Sequence, residues 1–78
     1  MNIADIDIIC DDAGIIKRVL DIESERDIPR TKVLLEAKEN TLKVHIEARD
    51  INALRAAITS YMRWIGLSMN VMEMIKNG

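Results

Sequence analysis

The chain has 78 residues, 49% of them hydrophobic and 31% charged, with a formal net charge of −2. That is one small domain, 1–78, with a thin private core. Such a composition excludes a low-complexity disordered chain, and no apolar run approaches the roughly 20 residues of a transmembrane helix. Only Tyr61 and Trp64 are aromatic, so Ile, Leu, Val, Ala and Met must build the interior. The acidic start MNIADIDIIC lacks the basic region of a secretory signal, and one cysteine, Cys10, allows no internal disulfide; the chain reads as cytoplasmic. Charge is uneven along it: residues 1–27 carry eight acids against three bases, residues 28–78 eight bases against five acids.

Ile3 to Cys10 alternates, with Ala4, Ile6, Ile8 and Cys10 on one face and Asp5 and Asp7 on the other, which predicts a half-buried strand. Asp11-Asp12 can cap a helix over Ala13 to Ser24, where Ile15, Ile16, Val19, Leu20 and Ile22 form an apolar stripe. Gly14 weakens the start of this helix without breaking it. The segment Arg26-Asp27-Ile28-Pro29-Arg30 is a connector. From Thr31 the period is two, with Val33, Leu35 and Ala37 inward and Lys32, Leu34, Glu36 and Lys38 outward. After Glu39-Asn40 it resumes, with Leu42, Val44, Ile46 and Ala48 inward and Lys43, His45, Glu47 and Arg49 outward. Asn tolerates the left-handed conformation of a tight turn, so a hairpin is expected.

Asp50 caps a final helix running to about Lys76. On it Asn52, Arg55, Thr59, Arg63, Gly66, Asn70, Glu73 and Asn77 share one narrow polar ridge; the rest is apolar or small. One apolar stripe is Leu54, Ile58, Tyr61, Ile65, Met72 and Ile75, a second is Ala53, Ala57, Trp64, Leu67, Val71 and Met74, and Met62 and Met69 widen the surface. Which stripe meets the sheet is left open. A small sheet and one short helix cannot cover so much, so the expectation is burial against another chain, which the methionines suit. The predicted fold class is α+β: a three-stranded antiparallel sheet with two helices on one face, order β-α-β-β-α.

Catalytic motifs are scarce. His45, in an exposed strand register, has no partner suggested by sequence, and Cys10 is expected to be an inert core thiol. The N-terminal aspartates lack calcium-loop spacing, no phosphate loop or nucleophile elbow exists, and the glycine-rich anion loop of a small acylphosphatase-type hydrolase is absent. The expectation is a non-enzyme without catalytic residue, metal or cofactor. Lys32, Lys38, Lys43 and Arg49 on the outer sheet face, Arg30 ahead of them, and Arg55 and Arg63 on the helical ridge are candidates for a phosphate backbone. Solvated surface charges would look the same.

The stretch from Asp50 to Ile65, through Ala53, Leu54, Arg55, Ser60, Tyr61, Arg63 and Trp64, resembles the ALRxxxNSYLRW helix of the small dimerising subunit of KEOPS, the Pcc-type subunit of the tRNA-modifying complex in its archaeal form. Ile28-Pro29-Arg30 and the element order fit too, so the likeness covers nearly the whole chain. Thr59 stands where that family usually has Asn, keeping a hydroxyl and losing the amide donors; main subunit and divergent paralogue both remain open. The resemblance implies a scaffold that dimerises through sheet edges, as a homodimer or with a paralogue. It packs its helices against the threonylcarbamoyl transferase subunit, bridges two copies of it and helps hold tRNA during threonylcarbamoyladenosine synthesis. Implied partner-binding residues are Ile15, Val19, Leu54, Ile58, Tyr61, Met62, Trp64 and Ile65; implied nucleic-acid contacts are Arg30, Lys32, Lys43, Arg49, Arg55 and Arg63. The competing reading is a free-standing homodimer that senses a ligand or binds RNA. Neither involves a membrane.

Overall fold

Alternation at period two lays down three strands, and the computed structural model, which describes residues 1–23 and 30–77, joins them in one antiparallel sheet. In chain order the elements are β1 (Asn2–Ile9), α1 (Ala13–Glu23), β2 (Thr31–Lys38), β3 (Thr41–Ala48) and α2 (Ile51–Asn77). The expected class, α+β with order β-α-β-β-α, is the one observed. Ser24, the expected last residue of the first helix, and the connector up to Pro29 lie outside the described residues.

The spatial order is β1-β3-β2, so β3 is central and both neighbours are edges. Ile6 faces Val44 and Asp5 faces His45 across the first pair; Leu35 faces Val44 and Leu34 faces His45 across the second. Both helices cover one face. There Leu42, Val44, Ile46 and Ala48 of β3 are fully buried against Ile16 and Leu20 of α1 and Leu54, Ala57, Tyr61 and Ile65 of α2. Inward residues of the edge strands, such as Ile6 and Leu35, are only half-buried because the sheet stops beside them.

Local chemistry fixes the boundaries. The Ile16 N–H bonds the Asp12 carbonyl at 2.9 Å, opening α1. Asp50 caps α2 as expected: its Oδ1 accepts the Ala53 N–H at 2.8 Å and its carbonyl the Leu54 N–H at 3.1 Å. The hairpin is a two-residue turn with Lys38 opposite Thr41. Its left-handed residue is Glu39, at φ 54°, and not Asn40. The Asn40 carbonyl instead accepts the Cys10 N–H at 2.8 Å, tying the turn to the end of β1. Arg30 is also left-handed, at φ 64°, where the chain enters β2.

Candidate docking surface and charged corner

At about 1.5 Å per residue, the 27 residues of α2 span roughly 40 Å, whereas eight-residue strands reach about 27 Å. The helix therefore sets the 42 Å long axis of the molecule and overshoots the sheet. Its sheet-facing seam is Leu54, Ala57, Tyr61 and Ile65, which mixes the two stripes separated in the sequence. Beyond Ile65 none of its described side chains is fully buried, and Leu67 and Val71 remain 58% and 54% exposed.

Between this overhang and α1 lies an apolar cleft of about 320 Å³, lined by Ile15, Ile16 and Val19 on one side and Trp64, Leu67, Ser68, Val71 and Met72 on the other. Trp64 closes its inner end, edge-on to Tyr61 with ring centres 5.0 Å apart and planes at 69°. The expected partner-binding residues consequently separate into three groups. Ile15, Val19 and Trp64 line the cleft. Ile58 and Met62 lie on the opposite flank of α2, half-buried and exposed respectively. Leu54, Tyr61 and Ile65 are 8%, 2% and 3% exposed and belong to the core, so they offer no free surface to a partner. On a helix apolar around most of its circumference, periodicity alone does not single out the seam. Leu67, Val71 and Met72, which are not among the expected residues, line the cleft as well; their spacing from Trp64 along one helical face is the signal in the sequence that points to them.

The outer sheet face can be read in rows across β1, β3 and β2: Ile3, Glu47, Lys32; then Asp5, His45, Leu34; then Asp7, Lys43, Glu36; then Ile9, Thr41, Lys38. It is a mixed surface and not the basic one the hairpin alone implies, because β1 brings Asp5 and Asp7 alongside β3. Lys43 sits between two carboxylates. The remaining candidate cations gather elsewhere. Arg30 and Arg49 meet where β2 begins and β3 ends, the Arg49 N–H donating to the Arg30 carbonyl at 3.1 Å, with Lys32 two residues into β2. The Arg30 guanidinium reaches Asp50 at 3.4 Å. That neighbour, after the Ala53 N–H bond, helps hold the Asp50 carboxyl below its ordinary value. Arg55 and Arg63 are exposed on the solvent ridge of α2.

His45 does have partners. Its Nδ1 bonds the Asp5 carboxylate directly across the strand pair, and its Nε2 lies 3.3 Å from Glu47 Oε2. The Asp5 hydrogen bond raises the imidazole pKa, outweighing an opposing desolvation, and the weaker Glu47 hydrogen bond adds to the rise. The two ring nitrogens point in opposite directions, so this is a hydrogen-bonded row on the sheet and not a converging ligand set. Cys10 is buried at the end of β1, and burial, then Asp11 and Asp12, push its thiol up, which disfavours the reactive thiolate. Among the described residues no helix is long and apolar enough to cross a membrane.

Fold and cleft together define a small two-layer α+β domain with an overhanging helix and an open interhelical groove. The chain belongs to the Pcc1 family: the family model described as "Transcription factor Pcc1" matches residues 4–73. No curated protein matches it significantly. The family is that of a non-catalytic scaffold subunit of the KEOPS complex, tied to transcription and tRNA modification, and membership implies protein partners within that complex.

Proposed function

We propose that this chain is a dimerising scaffold subunit that docks the KEOPS threonylcarbamoyl transferase subunit, bridges two copies of it and supports threonylcarbamoyladenosine modification of tRNA in the cytoplasm. The observation that carries this reading is the cleft between α1 and the overhang of α2, an apolar trough that the described residues leave open. A helix of the transferase laid into it would bury the outward faces of Ile15, Val19, Leu67 and Val71. Ile58 and Met62, on the other flank, would contact a different element or none. The second component is electrostatic: Arg30, Lys32 and Arg49 at one end of the sheet, with Arg55 and Arg63 along the helical ridge, would steer the tRNA backbone in the assembled complex. Lys43, hemmed by Asp7 and Glu36, would add little.

Co-expression with the transferase subunit tests the cleft. Val19→Asp and Leu67→Asp should each abolish co-purification, since either places a charge in the apolar trough, while Thr59→Asp on the solvent ridge should leave it intact. Unchanged recovery of the transferase with both cleft variants would rule out docking there.

A further inference from the structure

The described side chains of α2 divide at Gly66. Before it, Leu54, Ala57, Tyr61 and Ile65 lock the helix onto the sheet; after it, only Ser68 and Met72 are even half-buried. Two openings lie beneath this overhang. One is the interhelical cleft. The other, of about 380 Å³, separates the overhang from the end of β1 and is lined by Ile9, Cys10, Met69 and Glu73 among others. Met72 borders both, as does Ile16 of α1, so the overhang is poorly packed on either side of one methionine. Gly66 itself has no steric reason to be glycine. A Cβ placed on it would meet nothing within 4 Å, and its φ is not in the left-handed range. A glycine inside a helix instead loosens the backbone relative to alanine, and Asn70 and Val71 are weak helix formers as well. The stretch 67–77 is also shorter than the roughly 12–15 residues below which a helix without packing partners is marginal in water.

We infer that 67–77 is a separately opening strap, hinged at Gly66, which forms one wall of the cleft and can leave it while the first half of α2 stays on the sheet. This goes beyond the docking reading and does not depend on what the cleft receives. Its consequence is that occupancy and order are coupled. An occupant that touches Leu67 and Val71 must hold the strap helical, so part of its binding free energy goes into ordering that wall.

Native-state hydrogen exchange of the full chain, read residue by residue, tests this. Once Gly66 leaves helical geometry, the N–H groups from Leu67 onward lose their carbonyl partners, whereas that of Gly66 keeps its bond to Met62. Protection should therefore fall by about tenfold or more in one step between Gly66 and Leu67 and stay low to the end of the helix. Sub-denaturing urea should leave the rates beyond Gly66 nearly unchanged, since opening the strap exposes little surface, while it speeds exchange at 54–65. Gly66→Ala should raise protection beyond residue 66 about two- to fivefold, the helix preference of alanine over glycine. Equal protection and equal urea dependence on both sides of Gly66 would show α2 opening as one unit and overturn the inference. Protection that declines smoothly toward Asn77, or that Gly66→Ala leaves unchanged beyond residue 66, would mean end fraying without a hinge and overturn it as well.

Discussion

Replacing Tyr61 separates the two roles that the sequence leaves merged on α2. Tyr61 is 2% exposed and fills the space between the sheet and Trp64. Truncating a buried aromatic to Ala costs about 3–5 kcal/mol, the lost transfer energy plus the cavity. A domain of this length has roughly 4–12 kcal/mol of stability in all, at about 0.05–0.15 kcal/mol per residue. With a urea slope of about 1–1.5 kcal/mol/M for so small a chain, Tyr61→Ala should lower the unfolding midpoint by about 2–5 M or leave the chain unfolded. Leu67, projecting into the open cleft, should behave oppositely: Leu67→Ala stays within about 0.5 kcal/mol of wild type. The assay is urea unfolding followed by far-ultraviolet circular dichroism, with all variants at one protein concentration because dimerisation adds mass-action stability. A midpoint for Tyr61→Ala within 1 M of wild type, or no lower than that of Leu67→Ala, would refute the assignment of the seam.

The Asp5–His45 pair makes stability depend on pH: a folded-state imidazole pKa above the unfolded value near 6.5 gives stability fully present below pH 6.5 and lost as pH rises through the folded pKa. Thermal melts of wild type from pH 6 upward should show that loss, and His45→Gln should flatten it. Asp50 works in the other sense, its lowered pKa contributing above the ordinary carboxylate range and failing as pH falls through the folded value. Asp50→Ala should accordingly lower the melting temperature at pH 7, with Asp50→Asn, itself a good cap, retaining most of it. Glu39→Gly should raise stability by up to about 1 kcal/mol, since φ 54° strains a side-chain-bearing residue; a loss measured by urea unfolding would contradict this. Removing Arg30, Lys32 and Arg49 together should reduce the slope of log affinity of the assembled complex for tRNA against log salt by about 2, whereas Lys43→Ala should leave it nearly unchanged.

Much of this architecture is legible from one dimension. Strands β2 and β3 announce themselves because a one-residue slip would turn Val44 and Ile46 into water, and α2 because Asp50 marks its start. What stays hidden is relational. Asp5 and His45 are 40 positions apart and meet only because β1 lies beside β3. The exchange of roles between Glu39 and Asn40 likewise depends on a distant group, the Cys10 N–H that claims the Asn40 carbonyl. On α2 the apolar arc is too wide for its period to choose a seam, so Leu54, Tyr61 and Ile65 could be assigned to the core only once the sheet was in place. The KEOPS-type likeness, by contrast, was carried by contiguous residues and needed no tertiary information.

The same relational effect changes what the charge distribution means. Summed along the chain, an acidic first third and a basic remainder suggest two poles. In three dimensions β1 delivers Asp5 and Asp7 into the rows of Lys43 and His45, and the poles cancel over most of the sheet. Lys32 still faces Glu47 in its row and Arg30 reaches Asp50, so the cations that no carboxylate faces across the sheet are Lys38, opposite Thr41, and Arg49, beyond β3, with Arg55 and Arg63 away from the sheet on the α2 ridge. On the proposed reading, phosphate contact falls to a corner and a ridge, not to a face. On the same reading, the interhelical cleft, in the helical layer, is left to a protein partner.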